Sequence, residues 1–119
     1  MNKKVLVVDD DPPITKGIEM VLNNAGYATK ITLKGEETID LVKTFKPDLI
    51  LLDAMLAGLD GREIARELKH NAETANIPII LISANQYMGQ DFATFGIDTF
   101  IAKPFSSAHL LKIVDKYCE

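Results

Sequence analysis

Apolar residues in this chain follow two alternating rhythms. Four short continuous runs, Lys4-Val-Leu-Val-Val8, Leu49-Ile-Leu-Leu52, Ile79-Ile-Leu-Ile82 and Thr99-Phe-Ile-Ala102, have the length and branched content of strands buried in a sheet. Between them apolar positions recur every three or four residues, the spacing of one helix face. Ile14, Ile18, Val21, Leu22 and Ala25 set out a first helix over about residues 12 to 25, with Asp11 as its cap, Pro12 and Pro13 in its first turn and Gly26 as its stop. A second strand around Tyr27 to Thr32 leads to a helical segment from about Gly35 to Phe45, with Ile39, Val42 and Phe45 on its buried side and Pro47 ending it. A loop containing Gly58 and Gly61 follows the third strand, then a helix carrying Ile64, Ala65 and Leu68, then a polar stretch from Asn71 to Asn76. A fourth helix is predicted near Gln86 to Phe95, broken by Gly96, and Ser106 opens a fifth around Leu110 and Val114.

The first, third and fourth strands are apolar on both faces, as parallel strands sandwiched between helices must be. The second is more polar, which suits an edge. Right-handed crossovers then favour an α/β fold with a doubly wound, five-stranded parallel sheet in the order 2-1-3-4-5 and five helices, its switch point between strands one and three. The expected domain is the whole of residues 1–119, a length at which one core is sufficient. Nothing after the last helix resembles an effector, so the expectation is a stand-alone protein or a domain whose linker would begin near Glu119.

Composition narrows the classes of function. Hydrophobic residues make up 47% and charged residues 25%, ordinary globular usage. A net charge of -4, without a basic stripe, gives no attraction to nucleic acid. Cys118 is the single cysteine and cannot form an internal disulfide, the amino terminus lacks the apolar stretch of a signal peptide, and no apolar run has a membrane-spanning length. A cytoplasmic protein with no membrane contact is expected.

Candidate chemistry gathers at the strand ends. Asp10, Asp53, Ser83 and Lys103 each lie at or just beyond the carboxyl end of a different strand, and in an open parallel sheet those ends form one rim where ligands bind. Three close carboxylates, Asp9, Asp10 and Asp53, repel one another unless a cation offsets them, and a hard divalent ion such as magnesium prefers such oxygen ligands. A carboxylate can also attack phosphorus to give an aspartyl phosphate, with Lys103 neutralising the transferring group and the Ser83 hydroxyl donating to it. Each element alone has a structural reading: the Asp9 to Asp11 cluster complements a helix dipole, Asp53 caps a turn, Ser83 is structural, and Lys103-Pro104 is a plain strand exit. Their joint placement on one rim favours the functional one. Phe92, Phe95 and Phe100 read by spacing as core or surface aromatics rather than a cofactor box, and His70 and His109 have no metal-ligand partners nearby.

Val7-Val-Asp-Asp-Asp11, Leu51-Leu-Asp-Ala-Met-Leu-Ala-Gly-Leu-Asp-Gly61, Ile82-Ser-Ala84 and Lys103-Pro-Phe105 together closely resemble the receiver domains of two-component response regulators, from end to end of the chain. The resemblance implies a flavodoxin-like, chemotaxis-regulator fold and a phosphoacceptor signalling domain that promotes only its own aspartyl phosphorylation and dephosphorylation. It implies that Asp53 receives a phosphoryl group from a histidine kinase or phosphotransfer protein. Magnesium, or manganese, would be held by Asp10, Asp53 and the Met55 backbone carbonyl, with Asp9 acting through water. Ser83 and Lys103 match the positions that contact the phosphoryl group, Phe100 matches the aromatic switch, and the Lys103-Pro104 bond is often cis in such proteins. The implied docking face for a downstream partner or a second copy is formed by the fourth helix, fifth strand and fifth helix, including Tyr87 and Phe95.

One departure stands out: the family commonly has proline four residues after the acceptor, where this chain has Ala57, which makes a less rigid loop the expectation. Rival readings come from other classes. A phosphohydrolase of the haloacid dehalogenase type needs a second aspartate two residues after the first, where Met55 stands, and a dinucleotide-binding module needs a glycine-rich turn after strand one, where Asp9-Asp-Asp-Pro-Pro13 stands. A degenerate receiver used only for docking would usually lack one of the four rim residues, and all four are present.

Overall fold

The computed structural model describes residues 2–85 and 92–118. Strands β1 (Lys4–Val8), β2 (Ala28–Thr32) and β3 (Leu49–Asp53) are joined by helices α1 (Pro12–Asn24) and α2 (Thr38–Phe45), the latter entered through a short 3-10 turn at Gly35–Glu37. Then follow a small hairpin of β4 (Met55–Leu56) and β5 (Leu59–Asp60), helix α3 (Gly61–Lys69), strand β6 (Ile79–Ser83), a 3-10 turn at Phe92–Phe95, strand β7 (Thr99–Ala102) and helix α4 (Ser107–Tyr117). The main sheet is parallel throughout in the order β2-β1-β3-β6-β7. With the hairpin strands set aside this is the predicted order 2-1-3-4-5, with the polar second strand at an edge.

Local sequence explains the boundaries. Asp11 has extended backbone and its carboxylate accepts the Ile14 N–H, while Pro12 and Pro13 occupy positions whose N–H would have no helical partner. Helix α2 stops at Lys46, which takes a left-handed conformation (φ 52°) just before Pro47. Ser106 caps α4 by accepting the His109 N–H at 3.0 Å. The predicted fourth helix falls partly on residues 86 to 91, outside the described residues; of the rest, Phe92–Phe95 forms the 3-10 turn and Gly96 (φ 79°) follows it. Among the described residues there are thus four α-helices where five were expected.

Strand alternation divides the core in two. Leu6, Val8, Ile50, Leu52, Ile79 and Leu81 face α2 and α3, meeting Val42, Ala65 and Leu68. Val5, Val7, Leu49, Leu51, Ile80 and Ile82 face the opposite side and meet Ile18 and Leu22 of α1 and Leu110 and Val114 of α4. Each fully buried aliphatic side chain is worth about 1.5–3 kcal/mol of transfer free energy, so the two layers hold the sheet rigid beneath its rim. Cys118 belongs to the second layer at 6% exposure, and burial, helped by the Asp48 charge, pushes its thiol up to about 11.

The hairpin was not foreseen from the sequence. Its two-residue turn has positive φ at both central residues, Ala57 (φ 41°) and Gly58 (φ 92°), the signature of a type I′ turn whose twist matches antiparallel strands. A left-handed alanine is unusual, and the contact that accompanies it lies in the site.

Candidate functional site

Register brings the rim together. Val8 pairs beside Leu52, Asp53 beside Ile82 and Ser83 beside Ala102, so Asp9, Asp53, Ser83 and Lys103 leave four adjacent strands at one level. Asp9 and Asp53 are buried, at 2% and 7% exposure, whereas Asp10 is exposed. One carboxylate oxygen from each of the three lies within 4.8 Å of the others.

Lys103 enters this cluster from the side of β7. Its Nζ donates to Asp9 Oδ2 at 3.1 Å and stands 3.5 Å from Asp53 Oδ2. Asp9 Oδ1 also accepts the Asp11 N–H at 3.0 Å. The Met55 N–H reaches Asp53 Oδ1 only at 3.5 Å, and the Ala57 N–H donates to Asp10 Oδ2 at 2.9 Å. The hairpin is drawn against the end of β3 at its far end, where the Gly61 N–H donates to Ala54 O at 2.8 Å. Gly61 has no side chain for a reason: a Cβ there would sit 2.1 Å from the Asp53 carbonyl oxygen.

Electrostatics follow from this crowding. Burial, then the Asp9 charge, pushes the Asp53 carboxyl from 3.8 up to about 6, against the opposing pull of Lys103. Burial disfavours the Lys103 charge, but hydrogen bonds and charge from Asp9 and Asp53 outweigh it and raise the ammonium above its ordinary value. One ammonium faces three carboxylates, so a hard divalent cation fits the all-oxygen donor set and would relieve the excess charge.

The other predicted residues are placed as follows. Ser83 is buried on β6, and its Oγ accepts the Asn85 N–H at 3.0 Å rather than bonding Asp53. Phe100 lies half-buried on β7 and packs against the core layer of α2 and α3. Met55 is 59% exposed at the start of the hairpin. The Lys103–Pro104 bond is cis, as the resemblance implies. Tyr87 lies outside the described residues.

Two features escaped the sequence reading. The Ala57 amide on Asp10 is a backbone contact between residues 47 positions apart, and no side-chain pattern announces it. The second is a clasp on α3. Arg62 chelates Asp60 with its closest contact at 2.8 Å, and Arg62 and Arg66 stand over the Phe95 ring at 5.1 and 4.4 Å from its centroid. The only signal for it was two arginines four apart on one helix face.

A parallel sheet of this order with an acidic cluster and a lysine at its carboxyl rim defines a class, and comparison with known proteins specifies it. The model of the response regulator receiver domain matches residues 5–115, and the chain belongs to that family of two-component signalling domains. The receiver domain of the Francisella response regulator 1452 is 31% identical, with 98% of this chain and 97% of that one aligned at a TM-score of 0.88. The receiver domain of the sensor histidine kinase PA1611 from Pseudomonas aeruginosa PAO1, which has a magnesium ion coordinated in its active site cleft, is 28% identical over 99% of this chain and 98% of its own, with a TM-score of 0.90. The receiver domain of NtrX from Brucella abortus is 26% identical over 96% and 97% of the two chains, with a TM-score of 0.87. Among the described residues no helix is long and apolar enough to cross a membrane.

Proposed function

We propose that this receiver accepts a phosphoryl group on Asp53 from the phosphohistidine of a histidine kinase or phosphotransfer protein. The observation that carries the reading is the convergence of Asp53, Asp9, Asp10 and Lys103, with the three carboxylates within 4.8 Å and Lys103 reaching two of them. With a pKa near 6, Asp53 is ionised at neutral pH and therefore nucleophilic. One of its oxygens attacks phosphorus. The bond from phosphorus to the donor imidazole nitrogen breaks, and that nitrogen keeps the electron pair and takes up a proton. Lys103 turns from Asp9 and Asp53 to the phosphoryl oxygens, and the Ser83 hydroxyl leaves the Asn85 amide to donate to them. Asp10, Asp53 and the Met55 carbonyl, with Asp9 through water, would hold magnesium or manganese, which when bound supplies positive charge to the phosphoryl oxygens.

The domain, residues 1–119, acts in the cytoplasm on no substrate but its own aspartate. Withdrawal of Ser83 opens room beneath β7, and Phe100, already packed on the core, turns further in. This shifts an existing equilibrium and alters the face of β7, α4 and the segment before β7, which meets a downstream protein or a second copy.

Wild-type protein incubated with acetyl phosphate and magnesium should gain the mass of one phosphate, and chelation should suppress the gain. Asp53→Asn should remain unmodified; equal labelling of that variant would refute the assignment. Beryllofluoride, a phosphoryl mimic, should shift amide resonances of β7 and α4 as well as those of the hairpin. Shifts confined to the hairpin would refute the switch.

A further inference from the structure

Asp10 is the exposed member of the carboxylate cluster, and among the described residues its side chain has one hydrogen bond, from the Ala57 N–H at 2.9 Å. An exposed carboxylate on a loop has several staggered rotamers open to it, and a hydrogen bond to one oxygen selects among them. We infer that the Ala57–Gly58 turn is a positioning device for Asp10: its amide fixes one oxygen of the carboxylate and leaves the other for the cation. The inference deepens the magnesium reading given above and rests on it.

The turn is built for this contact at a cost. Ala57 takes φ 41°, a conformation that disfavours a Cβ by roughly 1–2 kcal/mol, so the sequence tolerates strain at the residue whose N–H meets Asp10. Type I′ geometry is accessible here because position 57 is not proline: proline would hold φ near -65° and would carry no N–H. The departure from the family pattern therefore has a chemical content beyond loop flexibility, since it supplies a donor to Asp10. Hydrogen bonds that orient metal ligands commonly change affinity by about 10–100-fold. The coupling is also reciprocal, so a cation that fixes Asp10 must order the turn to the same extent.

The test is a magnesium titration of the full chain followed by amide NMR shifts, with no phosphodonor present. Ala57→Pro removes the amide and should weaken magnesium about tenfold, whereas Ala57→Gly keeps the amide, relieves the left-handed strain and should bind within about twofold of wild type. Should the proline variant not fold, hydrogen exchange serves in its place: the Ala57 amide should be protected in wild type and should lose that protection in Asp10→Ala. Wild-type affinity in Ala57→Pro, equal weakening in both variants, or an Ala57 amide indifferent to Asp10 would overturn the inference while leaving the cation site standing. A wild-type protein with no response to magnesium would bring down the cation reading and this one together.

Discussion

Gly61→Ala should lower stability by roughly 3 kcal/mol and displace the loop after β3. The new Cβ would lie 2.1 Å from the Asp53 carbonyl oxygen and 3.1 Å from Ala54 Cα, both backbone atoms that no rotamer change can move aside. Relief requires the start of α3 to withdraw from the end of β3, which breaks the 2.8 Å bond from the Gly61 N–H to Ala54 O. Overpacking a close contact typically costs about 1–3 kcal/mol, and rigid backbone on both sides puts this case at the upper end. For a chain of this size that amounts to a fall in Tm on the order of 10 °C. Thermal unfolding of the variant checks it; a Tm within about 2 °C of wild type would show that the hairpin and β3 are not locked at Gly61.

Metal-free protein should become more stable on mild acidification from neutral pH. Asp53 has its folded pKa raised from 3.8 to about 6, so its contribution to stability is fully present below 3.8 and is lost as pH rises through about 6. Between pH 7 and pH 5 the recovered stability is about 1 kcal/mol, a Tm increase of roughly 3–6 °C. Asp60 works in the opposite sense, because the Arg62 hydrogen bonds hold its pKa below the ordinary value. Its contribution is present above the unfolded value and is lost only as pH falls further, outside this window. Magnesium should raise the neutral-pH Tm by preferential binding to the native state, and should remove most of the acid gain because the crowding is then compensated. Asp53→Asn should flatten the metal-free profile by itself. A Tm indifferent to millimolar magnesium, with no rise between pH 7 and pH 5, would show that the carboxylates are not crowded as described.

Much of this architecture could be read from hydrophobic order alone because the strands are short and almost purely aliphatic. Leu49 to Leu52 and Ile79 to Ile82 have no polar face to offer, which forces helices onto both sides of the sheet, and the polar Lys30 marks β2 as an edge. The rim was legible for the same reason: where such an aliphatic run ends in Asp53 or Ser83, the polar residue marks the end of the strand and so the rim. The hairpin was harder to see. Each of its strands is two residues long, and its turn uses alanine where the usual signal is asparagine or aspartate before glycine. Backbone donors such as the Ala57 amide leave no trace in residue identity. Ser83 shows another limit, since sequence places its hydroxyl on the rim but does not show that its oxygen accepts the Asn85 N–H.

The lone thiol is an internal clock for one motion. Cys118 lies just past α4, sealed in the core layer and protonated at neutral pH, so a thiol reagent can modify it only when that end of the helix lifts. When closing is fast relative to modification, the rate of labelling reads the population of the lifted state directly. Since α4 borders the face on which the proposed output converges, the unmodified wild-type chain carries its own kinetic reporter, and a change in that rate on beryllofluoride addition would give the free energy by which the signal loosens or tightens the helix.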